Sequence, residues 1–150
     1  IWVYTGYHTT ATYRHVDALT RRWRLNLHTY TPRVSAARQA ALAGGVPARD
    51  DPAFMRFVRD TKLEPFERAF NELKPDLWFT GLRAQQSAFR RALGVVSRGT
   101  HDTLRIAPLH YWSARDLAAH LALHGIVDND DYVDPTKPGA HDECGLQLLS

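Results

Sequence analysis

Ile1-Trp2-Val3-Tyr4-Thr5-Gly6 heads the chain: a short apolar run of β-branched and aromatic residues that stops at a glycine. It reads as a buried strand followed by a turn. From Thr9 to Trp23, Tyr13, Val16, Leu19 and Trp23 recur at helical spacing, while Arg14, Asp17, Arg21 and Arg22 fill the other face. Thr9 or Thr10 can cap this helix. Leu25, Leu27 and Thr29 then alternate with Asn26, His28 and Tyr30 up to Pro32, the period of a second strand. Strand, helix and strand at this spacing make a βαβ unit on a parallel sheet.

Outward from that unit the pattern continues. Ser35 to Ala43 reads as a short alanine-rich helix closed by Gly44-Gly45. Pro47 to Asp51 reads as a loop. Asp51 or Asp50 can cap the next helix, with Pro52 at its first position and Phe54, Phe57 and Val58 as its apolar edge. Lys62 to Leu73 predicts a further helix, with Leu63, Phe66, Phe70 and Leu73 as its stripe. Asp76 to Thr80 and Leu104 to Leu109 predict strands. Ser113 caps a last helix, with Asp116 three residues on, and His124-Gly125 ends it. The expected fold is α/β: three layers, a mostly parallel sheet and helices on both faces. The opening strand and phosphate-binding turn of such a domain are expected before Ile1, because the chain starts directly on an apolar strand with no initiator methionine. It reads as the later part of a longer protein, or a trimmed one.

With 150 residues, 44% apolar and 23% charged, the chain has the make-up of one globular domain. No apolar run approaches the ~20 residues that span a bilayer, so no membrane partner is expected. One cysteine can make neither an intramolecular disulfide nor a cysteine cluster, which fits a reducing, cytoplasmic setting. The formal charge is +3, and the arginines are dispersed rather than striped. Nucleic acid is therefore not the expected partner; a small anionic ligand suits the same charge.

Two segments carry residues suited to chemistry. Gly81-Leu82-Arg83-Ala84-Gln85-Gln86-Ser87-Ala88-Phe89-Arg90 follows the strand Asp76–Thr80, and open α/β sheets bind ligands beyond the carboxyl ends of their strands. Arginine offers a planar fork for phosphate or sulfate oxygens, and Gln86 and Ser87 add neutral donors. Arg83, Gln86, Ser87 and Arg90 thus suit a tetrahedral anion on a nucleotide; a solvated turn with surface arginines is the plain alternative. The second segment is Glu143-Cys144-Gly145-Leu146-Gln147, which holds the only cysteine. A lone cysteine is either a small buried hydrophobe or a nucleophile in exposed, positive surroundings. The polar run Asp128-Asn129-Asp130-Asp131, the Pro135-Thr136-Lys137-Pro138-Gly139 stretch and Gly145 make its surroundings loop-like, which favours the nucleophile. His120 and His124 stand four apart on a helix, but no third ligand is indicated and no metal is expected.

On these residues the chain resembles the phosphoadenylyl-sulfate (PAPS) reductase family, whose fold is adenine nucleotide alpha-hydrolase-like. Gly81-Leu82-Arg83 with Gln86-Ser87 and Arg90 is similar to that family's G-L-R-x-x-Q-S-x-x-R. Thr5-Gly6-Tyr7 with Thr12-Tyr13-Arg14 resembles its D-T-G-Y-x-x-x-x-T-Y-R. Lys62-Leu63-Glu64-Pro65 with Arg68-Ala69 resembles K-V-E-P-x-x-R-A, and Pro108-Leu109, Trp112 and His124-Gly125 agree in order. Glu143-Cys144-Gly145-Leu146 resembles E-C-G-L-H. The chain departs from the family at Tyr4 (aspartate there), at Thr9-Thr10-Ala11 (F-P-E) and at Gln147 (histidine). The S-G-G-K-D-S-type phosphate loop of the family belongs before Ile1.

The resemblance implies a division into residues 1–126, a nucleotide-binding reductase domain, and 127–150, a tail carrying the catalytic Cys144. It implies that Lys62, Arg83 and Arg90, with Gln86, Ser87, Thr5 and Gly6, bind PAPS. The Cys144 thiolate would take the sulfonate from PAPS, and thioredoxin or glutaredoxin would release sulfite from the S-sulfocysteine. A homodimer is implied too. One cysteine cannot ligate an iron–sulfur cluster, which points to the cluster-free branch that takes electrons from thioredoxin. Two other readings are an ATP pyrophosphatase-like enzyme of sulfur transfer or nucleic-acid modification, and a non-catalytic nucleotide-binding relative.

Overall fold

The computed structural model describes residues 1–48, 50–99, 102–129 and 131–132. Cys144 and its neighbours Glu143 to Gln147 lie outside the described residues. The described chain forms two compact units, one of Ile1–Leu73 with Asn129, Asp131 and Tyr132, the other of Lys74–Asp128. Each mixes helices with a sheet that contains a parallel pair, so the α/β class expected from the first thirty residues holds. None of the described helices is long and apolar enough to cross a membrane.

The first unit is built on the expected βαβ. Strands β1 (Trp2–Val3) and β2 (Thr29–Tyr30) run parallel, with Trp2 opposite Thr29 and Val3 opposite Tyr30. Between them lies α1 (Thr10–Trp23), capped by Thr9, whose hydroxyl accepts from the Thr12 N–H at 3.2 Å. The alternation from Leu25 predicts a longer second strand than the one formed. Arg24 takes a left-handed conformation (φ 48°) to end α1, and the Leu25 N–H still closes on the Thr20 carbonyl. The residues after it leave the helix before any pairing starts. Trp23, which the spacing puts on the apolar stripe of α1, is 47% exposed.

Helix α2 (Ala36–Ala43) is closed by Gly44 as expected, and Ser35, expected as its first residue, is its cap instead. The next helical run differs from its expectation. Helix α3 (Phe54–Val58) starts after Ala53, not at Pro52. Asp51 folds a turn first, its carboxylate accepting from the Ala53 N–H at 2.8 Å and its carbonyl from the Phe54 N–H at 2.9 Å. The run then continues through a π-helical turn (Arg59–Leu63) into α4 (Glu64–Leu73). Lys62, expected at the start of a helix, therefore lies inside a wider turn of a longer one. Pro65 is the physical reason. It has no N–H for the carbonyl four residues back, and its ring crowds that carbonyl. The turn widens just ahead of it, with the Glu64 N–H bonded five residues back to Arg59. The Thr61 hydroxyl donates to the Phe57 carbonyl, a back-bond that bends helices.

Phe54, Phe57, Val58 and Leu63 form the core of this unit, with Tyr7 packed against them. Ala69 and Phe70 are buried on α4. Arg68 ties α4 to the strand region. Its fork donates to both oxygens of Glu64 (3.0 and 3.2 Å) and to the Thr31 carbonyl (2.6 Å). The Arg68 guanidinium, followed by Arg33, holds the Glu64 carboxyl below its ordinary range against the opposing effect of burial.

In the second unit the sheet order is β3-β5-β4. Strand β3 (Leu77–Phe79) runs parallel to β5 (Leu104–Ile106), and β4 (Val96–Arg98) pairs antiparallel to β5. Strand β4 is absent from the sequence reading: three residues behind Gly94 are too few to show a period. Strand β5 is shorter than Leu104–Leu109 predicts, because the chain turns where the His110 N–H bonds the Ala107 carbonyl. Helices α5 (Ala88–Ala92) and α6 (Ala114–Leu123) complete the unit. Ser113 and Asp116 form the expected capping box on α6.

Gly6 sits at φ +84°, and a β-carbon there would lie 2.8 Å from the β-carbon of Ala36. Gly6→Ala is expected to cost about 1–3 kcal/mol in urea denaturation, since the left-handed region alone costs an L residue about 1–2 kcal/mol. An unchanged midpoint contradicts this. The Glu64 carboxyl, depressed in the folded state, contributes stability above its ordinary value of 4.5 that is lost as pH falls through the folded value. Arg68→Met should therefore destabilise the protein more at about pH 7 than at about pH 3. A difference that is constant across that window removes the Glu64 assignment.

Candidate functional site

The residues singled out from the sequence fall into two groups, one in each unit. In the first unit, Thr5 and Gly6 form the turn after β1. Thr5 is buried; its hydroxyl accepts from the Tyr7 N–H at 3.2 Å and lies 3.4 Å from His8 Nδ1. The Tyr7 hydroxyl donates to Gln39 Oε1 at 3.0 Å, and its ring meets Phe57 edge-on at 5.5 Å. The turn is thereby packed on the helical run that holds Lys62. Lys62 is 7% exposed, an unusual degree of burial for a lysine. Beside the turn is an aromatic cluster. Tyr4 stacks on Tyr13 at 5.1 Å, and Trp2 meets Tyr4 at 5.3 Å and Tyr13 at 6.0 Å. Burial, then the Tyr4 hydroxyl, holds the Tyr13 phenol above its usual range, with an opposing backbone contact at His8.

In the second unit, Arg83, Gln86, Ser87 and Arg90 come together in one turn beyond the carboxyl end of β3. A single 3-10 turn (Ala84–Gln86) leads into α5. Gln86 is its hub: the side-chain carbonyl accepts from the Arg83 N–H at 2.9 Å and from the Arg90 guanidinium. The Ser87 hydroxyl accepts from the Arg90 N–H at 3.1 Å and so caps α5. Gln86 and Ser87 thus spend their oxygens on the shape of the turn, and that shape brings Arg83 and Arg90 to one segment. The turn is held from outside by the Ala84 N–H, which donates to the His110 carbonyl at 2.8 Å.

The family model described as the phosphoadenosine phosphosulfate reductase domain matches residues 1–132, which takes in both groups. The chain belongs to the phosphoadenosine phosphosulfate reductase family. It is 37% identical to a phosphoadenosine 5'-phosphosulfate reductase of Synechococcus sp., over 99% of this chain and 74% of that one. A reductase of the same name from Thiocapsa roseopersicina is 38% identical over 86% of this chain and 54% of its own length. One from Xanthomonas campestris pv. campestris is 37% identical over 84% and 52%. The chain thus spans about half the length of the latter two. Among solved structures, the PAPS reductase of Candida auris in a phosphate complex aligns with a TM-score of 0.69 at 24% identity, covering 85% of this chain and 61% of that one. That likeness bears on the fold. It agrees with the adenine nucleotide alpha-hydrolase-like architecture that the family resemblance implies.

The fold also relies on residues that no sequence pattern marks. His110 is 2% exposed, and its Nδ1 has no hydrogen-bond partner among the described residues. Arg105 is buried in β5 and donates to Ser97 on β4 at 3.0 Å. Neither has a spacing signal: a lone histidine in a turn and an arginine in a three-residue strand look like surface residues. Thr61 and Pro65 did leave a trace, a threonine four residues before a proline in a helical pattern. His120 and His124 have ring centroids 4.3 Å apart, and no group of three metal-ligating side chains occurs among the described residues.

Ser87 acts in the structure as a helix cap. Ser87→Ala should lower stability by about 1 kcal/mol, and Ser87→Asp should retain it. Equal stability of the serine and alanine proteins in urea denaturation refutes the capping role.

Proposed function

We propose that the protein of which this chain forms part reduces PAPS to sulfite and adenosine 3',5'-bisphosphate, with Cys144 as nucleophile. The observation that carries the reading is the Arg83–Arg90 turn: in a chain of this family, one glutamine oxygen gathers two arginines beyond a strand end. Arg83 and Arg90 bind the phosphate and sulfate oxygens, and Gln86 and Ser87 shape the turn that presents them. Thr5 and Gly6 bring backbone close to the nucleotide, and Lys62 adds a cation from the π-helical turn.

The chemistry balances as two displacements. The Cys144 thiolate attacks the sulfur of the sulfonate, a sulfur–sulfur bond forms, and the sulfur–oxygen bond to the phosphate breaks. Adenosine 3',5'-bisphosphate leaves with the electron pair. A thiolate of thioredoxin or glutaredoxin then attacks the Cys144 sulfur, and sulfite departs with the second pair. The partner's other thiol resolves the mixed disulfide, so the dithiol supplies the two electrons. The cysteine count of one within these residues leaves them without ligands for an iron–sulfur cluster. A dithiol donor places the reaction in a reducing compartment, the cytoplasm, and the family resemblance suggests a homodimer.

Full-length protein incubated with PAPS and no reductant should gain the mass of one SO₃ group, and Cys144→Ser should gain none. Absence of the adduct at saturating PAPS overturns the proposal, and pyrophosphate release from ATP in its place would favour sulfur transfer by ATP activation. Gln86→Leu, which removes the side-chain acceptor shared by the Arg83 N–H and the Arg90 guanidinium, should weaken PAPS binding about 10–150-fold, as expected when a hydrogen bond that positions a charged group is lost. Calorimetric titration of the Cys144→Ser protein with PAPS measures it.

A further inference from the structure

Arg105 stands on β5, the middle strand of the second unit's sheet, and is only 8% exposed. A guanidinium stays charged when buried, so its burial has to be offset by acceptors. The fold supplies a neutral one: Nε donates to Ser97 Oγ on β4 at 3.0 Å. No carboxylate among the described residues pairs with Arg105, and its Nη nitrogens donate to no acceptor among them. Arg98, two residues earlier on the register of the same strand pair, shows the opposite arrangement. It is exposed and bonds the Asp102 carboxylate.

The place of Arg105 gives this imbalance a meaning. Strand β5 runs parallel to β3, so its carboxyl end lies at the end of the sheet from which β3 enters the Arg83–Arg90 turn. Arg105 pairs with Trp78 on β3 and Ser97 on β4. Just past that row the Thr80 N–H bonds the Ile106 carbonyl at 2.9 Å. The chain then passes to His110, whose carbonyl holds the Ala84 N–H of the anion turn. His110 is also buried, with Nδ1 unpartnered among the described residues. The segment that underpins the anion turn thus carries two buried polar groups short of partners. Each such group is costly, a charged one most of all. Both stand at the end of the sheet where open α/β sheets take ligands.

We propose that Arg105 is a binding residue: its guanidinium holds an oxyanion of the substrate at the carboxyl end of β5, apart from the anionic group held by Arg83 and Arg90. The proposal rests on the reductase reading, in which PAPS brings both a 3'-phosphate and a 5'-phosphosulfate. Ser97 takes the Nε side of the planar fork and leaves the pair of Nη nitrogens, a geometry matched to two oxygens of one phosphate or sulfate. A fork already fixed by Ser97 loses little freedom when the anion arrives. The anion supplies the countercharge that the described residues do not.

The test uses the full-length protein carrying Cys144→Ser, so that PAPS binds and is not consumed. Arg105→Met should weaken PAPS binding about 10–150-fold in calorimetric titration, the range for a hydrogen bond to a charged group. Arg105→Lys keeps the charge but not the fork, and its affinity should fall between the two. Arg115→Met removes the same charge from the exposed first turn of α6 and should leave affinity unchanged. Unchanged PAPS affinity in Arg105→Met overturns the proposal, and so does an equal loss in Arg115→Met. A second measurement needs no change at Arg105. Inorganic sulfate titrated into the protein should move the Arg105 Nε–H resonance, identified by its shift in Ser97→Ala. A resonance that stays in place at saturating sulfate overturns the oxyanion site. Sulfate that moves it in protein that binds no PAPS keeps the site and overturns the reductase reading.

Discussion

Pro65 has no N–H to offer, and the first unit is arranged around that lack. A regular helix from Phe54 to Leu73 would need a donor at this position for the carbonyl of Thr61. The chain widens into a π-helical turn instead, and Thr61 bonds back to Phe57. Widening by one residue rotates everything before the turn relative to everything after it. Phe54, Phe57 and Val58 can then share a core with Leu63 across the junction. The same rotation leaves Lys62 buried on the helical run against which Tyr7 holds the Thr5–Gly6 turn. A backbone defect thus sets the place of a candidate cation.

The two units share a way of holding polar parts. Arg68 in one and Gln86 in the other each gather several partners at one head group. Partly exposed pairs of this sort add little stability, with a median near 0–1 kcal/mol. Their effect is geometric. Arg68 fixes where α4 meets the end of β2, and Gln86 fixes where the Arg90 guanidinium sits relative to the Arg83 backbone. Tyr4 is a contrasting case. Where the reductase family has an aspartate, this chain has a ring that stacks on Tyr13, so a charged position has become part of an aromatic cluster.

Caps and turns were the most legible features. Thr9, Gly44 and the Ser113–Asp116 pair stand where the sequence puts them, because a cap depends on one residue and the few around it. Strands were less legible. Leu25 to Leu27 alternates like a strand, but the Leu25 N–H is still bonded to α1 at the Thr20 carbonyl, and pairing with β1 begins only at the His28 carbonyl, which accepts from the Trp2 N–H at 2.8 Å. The Arg83–Arg90 turn was legible as a set of residues suited to an anion. The roles of Gln86 and Ser87 inside it were not, since donor or acceptor use depends on which group the fold brings within 3 Å.

Local pattern alone gave the α/β class, the caps at Thr9, Gly44 and Ser113, the reductase resemblance and the residues suited to anion and sulfur chemistry. These follow from local periodicity, caps and residue chemistry, which act over a few positions. The tertiary structure alone decided that Lys62 is buried in a π-helical turn, that Gln86 serves as a hub, and that Asn129 reaches back to Thr12. Those are contacts between residues far apart along the chain or across a packed junction. Their geometry depends on the whole unit, which no short window of sequence contains.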